Sequence, residues 1–290
     1  MKTLRGLVFS FLLLASQSCT KAPYHYFPEA EPPGRFHECP GDQVERGRPN
    51  AFFDSIGHYF FSLPTKLILW NWKVENHDIS DDTESALREY MCLNHLDDVK
   101  VRLNQYAPGG EWKRLSQNTG VSPLWRYSLG AISVLVYTIL PGRVFGGDNY
   151  NPFTNTINLY SDLPAVALHE AGHAKDFAET EYRGSYAALG ILPLVSLWFE
   201  GQATGDALGY LQDTQDMCGK QAAYKVLYPA YGTYVGGEAL QIVSIFTPVN
   251  ELVSLVMVIP GHIIGRYQAA QLECPTPPSP TADGTGSHDN

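Results

Sequence analysis

The order of apolar and polar residues along the first half of the chain predicts a mixture of helices and strands. An acidic start at Asp81 precedes apolar positions at helical spacing, which predicts a helix that ends near Asp98. Residues 99–103 alternate between apolar and polar side chains, which predicts a strand with one buried face. The uncharged run 127–142 is short for a membrane span, so it favours a buried core helix.

A second strand and a long helix are predicted further along the chain. Residues 153–160 alternate again, and the polar side indicates that one face or edge of this strand meets solvent. Ser161 or Asp162 can cap the following helix, which we expect to continue to about Glu179. A further apolar run, 184–199, then leads into another helical stretch.

The last part of the body, 222–270, is rich in tyrosine, glycine and aliphatic residues. The glycines within 231–237 predict a break between two helices. Glu251 favours a buried helical pair over a membrane span, because a charge at bilayer depth costs at least ~3 kcal/mol. A surface that rests on a membrane remains an alternative for this region.

Composition limits the classes of partner. The chain has 290 residues, 44% of them apolar, which is enough for a sizeable core in the body, residues 51–274. The 20 basic and 30 acidic residues give a net charge of -10. This balance argues against nucleic acid as a partner and against electrostatic adhesion to anionic lipid.

The N-terminus of the chain predicts export. Residues 1–19 have a basic start, a short apolar stretch and small residues before Cys19, which together are typical of a signal peptide. This end resembles a bacterial lipoprotein box, in which Cys19 would carry lipid, although Ser16 stands where that pattern has leucine. Plain secretion is the alternative. The proline-rich segment 20–50 predicts an extended tether, and 275–290 predicts a disordered tail.

The remaining cysteines fit an oxidising compartment. The four are Cys39, Cys92, Cys218 and Cys274. They contain no C-x-x-C pair and predict two disulfides. Four cysteines allow three pairings, and the sequence leaves the choice open.

Candidate chemistry is concentrated in the His-Glu-x-x-His pattern at residues 169–173. On a helix, His169 and His173 lie on one face about one turn apart, so both imidazoles can bind one metal ion. Glu170 lies beside that face, where a carboxylate can take a proton from water. The alternative is an ordinary surface helix with two histidines. Gly172 favours a site, because a glycine inside a helix costs about 1 kcal/mol and needs a packing reason.

A second helix downstream carries another carboxylate, Glu200, at the end of an apolar run. Small residues follow it and would permit close packing against the first helix: Gly201, Ala203 and Gly205. The arrangement of a strand, a His-Glu-x-x-His helix and a later glutamate resembles the gluzincin group of zinc metallopeptidases, over about residues 99–211.

The resemblance implies an α+β fold: a zincin-like catalytic domain with a small sheet, followed by a helical C-terminal part. It also implies one zinc ion held by His169, His173 and Glu200, with Glu170 as the general base. Glu179 is a rival third ligand by its spacing from His173. It is disfavoured because the metzincin pattern that uses that position needs a helix-breaking glycine where this chain has Asp176.

The chain departs from the gluzincin pattern after Glu200. The family places an aspartate four residues later to orient a zinc-bound histidine, whereas this chain has Thr204 there and Asp206 two residues further on. Asp176 could serve as that acceptor or could be a surface carboxylate. The family's transition-state donor is a His or Tyr, and five residues remain candidates: Tyr210, Tyr224, Tyr231, Tyr234 and His262.

The sequence therefore favours a zinc peptidase of the bacterial envelope that acts on peptide or protein. We expect the strand before the metal helix to be an edge strand that pairs with the substrate backbone. The residues concerned are Asn155, Thr156, Ile157 and Asn158. The alternative function is a non-catalytic envelope lipoprotein that uses a zincin scaffold for binding or assembly. The presence of Glu170 favours the enzyme. Oligomeric state and cleavage preference are left open.

Overall fold

The computed structural model describes residues 24–25, 41–192, 194–244 and 255–274, without the side chains of residues 242 and 243. The predicted signal peptide with Cys19, most of the predicted tether, and the predicted tail lie outside these ranges. The described residues form a helix-rich α+β fold with a small mixed sheet. Its helices are α1 (Ala51–Ile56), α2 (Leu63–Leu69), α3 (Asp81–Leu93), α4 (Pro108–Gln117), α5 (Pro123–Trp125), α6 (Ala131–Ile139), α7 (Gly142–Phe145), α8 (Pro164–Glu179), α9 (Arg183–Leu189), α10 (Val195–Asp213), α11 (Met217–Ser244) and α12 (Val258–Ala270). Two π-helical turns lie at Gly57–Phe61 and Arg126–Gly130.

The sheet contains β1 (Val44–Arg46), β2 (Lys100–Leu103), β3 (Asn149–Asn151) and β4 (Thr156–Leu159) in the order β1-β2-β4-β3. β1 and β4 both run parallel to β2, and β3 is antiparallel to β4. The predicted tether, 20–50, therefore extended too far, because its end forms strand β1. A proline-rich composition predicts extended backbone, but it does not show whether that backbone pairs with another strand.

The predicted edge strand is a central strand. β4 pairs with β2 on one side and β3 on the other, so its backbone is not free to receive a substrate. Every residue of β4 is buried. The polar residues that indicated solvent lie inside and are only partly hydrogen-bonded. Arg114 Nε donates to Thr156 Oγ1 at 3.1 Å and Asn158 Nδ2 donates to Asn149 Oδ1 at 2.9 Å, whereas Thr154 Oγ1 and Asn158 Oδ1 have no partner among the described residues.

The main core lies between this sheet and three helices, α3, α8 and α10. Apolar residues of β2 and β4 pack with Leu168 and Ala171 of α8, and they are fully buried: Val101, Leu103, Ile157 and Leu159. Burial of a side chain of this size contributes about 1.5–3 kcal/mol each. The core therefore holds α8 against the sheet and fixes the face on which its histidines stand.

Neither Ser161 nor Asp162 caps α8, and Asp162 instead binds the start of α3. Ser80 is the N-cap of α3, and Asp162 accepts hydrogen bonds from the Ser80 N–H at 3.0 Å and from Thr83 Oγ1 at 2.7 Å. Lys73 Nζ lies 2.8 Å from the same carboxylate. Burial favours the protonated acid, but these donors hold the pKa of Asp162 well below its usual range. α8 itself begins at Pro164 after Leu163, which offers no side-chain cap.

The run 127–142 is helical, as predicted, but it is not a buried core helix. Val134 is fully buried in α6, whereas Ile132 is 58% and Ile139 65% exposed. An uncharged apolar sequence is compatible with burial, but it does not show whether other parts of the protein bury the helix. None of the helices in the described ranges is both long and apolar enough to cross a membrane.

The predicted break at 231–237 lies inside one continuous helix, α11. Gly232 of α11 and Gly261 of α12 instead allow close contact between the two segments. A Cβ atom at Gly232 would lie 2.6 Å from the Met257 carbonyl oxygen, and one at Gly261 would lie 2.6 Å from that of Tyr228. A disulfide between Cys218 and Cys274 joins the start of α11 to the residues after α12, and Cys92 is also disulfide-bonded.

Candidate metal centre

Helices α8 and α10 bring three metal-ligating side chains together. His169 Nε2 lies 3.1 Å from Glu200 Oε2, and His173 Nε2 lies 3.5 Å from Glu200 Oε1. One ligand atom from each of the three residues lies within 4.8 Å of the others. The two imidazole rings stand edge to face with centroids 4.7 Å apart. This group could hold a metal ion, with two nitrogen donors from one helix and an oxygen donor from the next.

Small residues allow the two helices to approach closely. A Cβ atom at Gly172 would lie 3.0 Å from the carbonyl oxygen of Ala203 and 3.1 Å from its Cα. Ala203 is itself buried. The glycine inside the His-Glu-x-x-His pattern therefore has a packing reason, as the sequence predicted: it permits the distance at which Glu200 reaches both histidines.

Thr204 orients one of the ligands. Its Oγ1 lies 3.3 Å from Nδ1 of His169, and the residue is buried. When Nε2 coordinates a metal ion, Nδ1 carries the proton and can donate a hydrogen bond to this hydroxyl. Sequence comparison with the gluzincin pattern treated Thr204 as a departure. Its spacing from Glu200, one helical turn, was the signal that could have identified it.

The two predicted acceptors Asp176 and Asp206 are engaged elsewhere. Asp206 lies 2.8 Å from Lys175 Nζ and accepts a hydrogen bond from the Tyr90 hydroxyl. Asp176 accepts a hydrogen bond from the Tyr186 hydroxyl at 2.9 Å. Both carboxylates therefore tie α8 to neighbouring elements, and Thr204 is the residue bonded to a ligand ring.

The rival third ligand, Glu179, is also placed away from the group. Its carboxylate lies 2.8 Å from His25 Nε2 at the end of α8. It is not part of the three-residue group that the described residues form. Glu200 is therefore the carboxylate that meets both histidines.

Burial and mutual charge set the protonation of the metal-free site. Burial alone would raise the pKa of Glu200, but His173 and His169 hold it well below the usual range. Burial would lower the pKa of His173, but the adjoining Glu200 raises it to about 9. Glu170 differs from Glu200, since burial dominates and raises its pKa. The site thus contains one firmly ionised carboxylate and one with a greater affinity for a proton.

A cavity of about 370 Å³ opens in front of these residues. It is lined by His169, Glu170 and Glu200, and on its other sides by residues of α2, α11 and two acidic side chains, Glu75 and Asp148. Sequence reasoning missed both acidic residues, because neither stands in a recognisable pattern.

The structure separates the five proposed transition-state donors. Tyr231 and Tyr234 line the cavity, and Tyr234 interacts electrostatically with Glu200. The negative charge of Glu200, together with burial, raises the pKa of Tyr234 well above its usual value. The hydroxyl of Tyr231 donates to the Leu197 carbonyl oxygen at 3.3 Å.

The other three candidates have structural contacts. The Tyr210 ring packs against Tyr90 with centroids 5.0 Å apart, and Tyr224 packs against Tyr228 at 5.3 Å. His262 Nε2 is 2.7 Å from the Ile68 carbonyl oxygen. Tyr234 is therefore the candidate that touches the metal centre.

Comparison of the chain with protein-family models, with curated proteins and with solved structures finds no match to any of them. The chemistry of His169, Glu170, His173 and Glu200 is therefore interpreted from their own geometry. That geometry combines a possible metal-binding group, a buried carboxylate beside it and an adjoining cavity, which together suit hydrolysis.

Proposed function

We propose that the protein is a zinc-dependent peptidase with a zincin-like catalytic domain, which hydrolyses bonds in a peptide or protein substrate. The observation that carries the proposal is the convergence of His169, His173 and Glu200 in one group, of which His169 and Glu200 line a cavity that also contains Glu170. A purely structural metal site would not need a buried carboxylate of this kind beside its ligands.

The donor set fits zinc. Two histidine nitrogens and one carboxylate oxygen are a recurring set of three protein ligands in catalytic zinc sites, which leave a fourth position open. The Nδ1 contact of His169 with Thr204 leaves Nε2 free to coordinate, as such a ligand requires. When bound, the zinc ion would supply Lewis-acid polarisation of the substrate carbonyl and acidify water.

The protein residues would divide the proton transfers. Glu170, whose pKa is raised by burial, takes a proton from the attacking water and passes it to the leaving amine. Tyr234, whose pKa is raised well above its usual value, remains protonated and can donate a hydrogen bond to the negative charge that develops on the substrate carbonyl oxygen. Glu200 stays ionised between the histidines.

We further propose that the protein is exported to the bacterial envelope and is held there by lipid at Cys19. Residues 1–19 support export by their order of basic, apolar and small residues. The disulfide between Cys218 and Cys274 supports an oxidising compartment.

Three substitutions test the assignment of roles. His169→Ala and Glu200→Ala should lose zinc, because each removes a ligand. Glu170→Gln should keep zinc and lower kcat by about 100- to 10,000-fold, because a general base contributes to the chemical step. Glu179→Ala is the matched control on α8 and should keep both zinc and activity. Metal content of the purified variants and cleavage of an unbiased peptide library are the measurements.

Two results would change the conclusion. Zinc kept by Glu200→Ala but lost by Glu179→Ala would transfer the ligand role to Glu179. Zinc bound by the wild type with no cleavage of any library peptide would favour the alternative, a non-catalytic envelope protein on a zincin scaffold.

A further inference from the structure

Glu75 lies in the wall of the metal cavity with its backbone held in an unusual conformation. Its φ of 45° is in the left-handed region, which non-glycine residues rarely adopt. Its N–H donates to Ser161 Oγ at 2.7 Å, and its carbonyl oxygen accepts from Lys66 Nζ at 3.2 Å. These bonds hold the backbone of Glu75 in place. Strained residues held in this way are concentrated at functional sites.

The Glu75 carboxylate rests on a pair of glycines that could not be replaced by other residues. Gly147 N donates to Glu75 Oε1 at 3.0 Å, and a Cβ atom at Gly146 would lie 2.3 Å from Oε2. Both glycines have positive φ, 81° and 101°. The loop before β3 is therefore shaped to let a carboxylate lie directly against the backbone.

This carboxylate is short of donors. Glu75 is only 7% exposed, and within the described part of the chain its Oε2 accepts no hydrogen bond. Buried carboxylates normally accept several hydrogen bonds or pair with a cation. Since Glu75 lines the cavity shared with His169, Glu170 and Glu200, the space that Oε2 faces is the space where a substrate would bind.

The charge of Lys66 acts on Glu75 and lowers its pKa, but no hydrogen bond joins the Lys66 ammonium group to the Glu75 carboxylate. The ammonium group of Lys66 is bound to Ser62 Oγ and to the backbone carbonyl oxygens of Val74 and Glu75, so it does not reach the Glu75 carboxylate. Asp148 adds a second negative charge. It is itself satisfied by donors from Tyr160 and Ser161. Burial and the charge of Asp148 raise the pKa of Glu75 to about 7.

We propose that Glu75, on its Gly146–Gly147 support, is a subsite of the metal cavity that binds an ammonium group of the substrate. The proposal rests on the proposed peptidase function, and it narrows the substrate class to peptides that carry a positive charge close to the bond that is cleaved. A metal ion is the weaker candidate for this place, because the one group of metal-ligating residues found in the described ranges does not include Glu75. An ammonium group supplies a positive charge in direct contact with the carboxylate and an N–H donor to Oε2.

Two sources of the ammonium group are possible within this chemistry, a free amino terminus and a lysine side chain. The cavity, at about 370 Å³, is near the small end of ligand pockets, so either group would bind near the metal ligands. Three synthetic peptides of otherwise identical sequence separate them: one with a free amino terminus and no lysine, the same peptide acetylated, and the acetylated peptide with one lysine.

The first measurement is kcat/KM of the zinc-loaded wild type on the three peptides. We expect the acetylated peptide without lysine to be about 10- to 100-fold poorer than at least one ammonium-bearing peptide, as for loss of a charged hydrogen bond. Preference for the free amino terminus would identify an exopeptidase, and preference for the lysine peptide would identify a side-chain subsite. Equal values for all three peptides would overturn the proposal and leave the peptidase function intact.

The second measurement assigns the preference to Glu75. Glu75→Gln keeps the acceptor for Gly147 N but removes the charge, so it should raise KM about tenfold or more for the preferred peptide and leave the acetylated peptide unchanged. Glu89→Gln, on the exposed side of α3, removes the same charge and should change nothing. Equal preference in Glu75→Gln and wild type would transfer the subsite to another residue and overturn the assignment. If Glu75→Gln does not fold, Glu75→Asp is the substitute. It keeps the negative charge but moves it away from the cavity by one methylene, so the preference for the ammonium-bearing peptide should decrease.

A binding measurement tests the ammonium subsite independently of the proposed peptidase activity. Calorimetry on Glu170→Gln, loaded with zinc, measures the affinity for the same peptides without requiring cleavage. Tighter binding of an ammonium-bearing peptide, with no cleavage by the wild type, would retain the subsite and remove the peptidase. Equal binding of all three peptides would overturn the subsite whatever the activity.

Discussion

Replacing Gly172 with alanine tests whether the closest contact between α8 and α10 fixes the distance between the metal ligands. The new Cβ would lie 3.0 Å from the Ala203 carbonyl oxygen and 3.1 Å from its Cα. Both atoms belong to the backbone, so no side-chain rotation can relieve the contact. The helices must instead separate by a few tenths of an ångström.

Two effects of opposite sign determine the stability of Gly172→Ala. Alanine is favoured over glycine inside a helix by about 1 kcal/mol. Overpacking of a close contact costs roughly 1–3 kcal/mol. We therefore expect the free energy of unfolding to fall by up to about 2 kcal/mol. Gly205→Ala, in α10, is the matched control, because a Cβ there has no neighbour within 4 Å and only the gain in helix propensity remains.

The metal-binding consequence is the more specific one. Metal sites require ligand distances within about 0.2 Å of their ideal values, so the separation of α8 from α10 should weaken zinc binding by about tenfold in Gly172→Ala. Urea unfolding of the metal-free proteins measures stability, and competition with a chromophoric chelator measures affinity. If Gly172→Ala gains stability as Gly205→Ala does and binds zinc as the wild type does, the glycine contact does not place Glu200.

Three further predictions concern single residues. Thr204→Val removes the acceptor for His169 Nδ1 and should weaken zinc binding about tenfold, whereas Thr154→Val, a buried threonine whose hydroxyl lacks a partner in the described residues, should not change it. Asp162→Asn should destabilise the protein at neutral pH. Because the folded pKa of Asp162 is depressed, its contribution is present above the unfolded pKa of about 4 and lost as the pH falls below it, so urea midpoints of the two proteins should converge in acid. A fatty-acid analogue should label the wild type but not Cys19→Ala, and an unlabelled but intact mature chain would indicate plain secretion.

The metal-binding group was predictable because it depends on local geometry. His169 and His173 are one helical turn apart, and α8 has nearly the predicted bounds. Glu200 needed one assumption, that the next long helix packs against the first, and the small residues after it supported that assumption. The prediction that these three residues could form one metal-holding group is confirmed.

The sheet could not be predicted in the same way, because strand order depends on pairing between distant segments. The alternation in residues 153–160 correctly indicated a strand. It could not show that β2 and β3 would cover both edges of β4. The same limit applies to α6, whose sequence is apolar on all sides while its surroundings in the fold leave much of it exposed.

Three of the four carboxylates that line the cavity illustrate how environment divides the roles of one chemical group. Glu200 lies between two imidazoles, which stabilise its charge, so it is suited to be a permanent ligand. Glu170 has burial as its dominant influence and thus keeps some affinity for a proton, as a base must. Glu75 is buried next to Asp148 with one backbone donor, so its charge is stabilised fully only when a cation arrives. The first two roles follow from a helix pattern. The third depends on the loop at Gly147, 72 residues after Glu75, which only the folded structure brings into contact with that carboxylate.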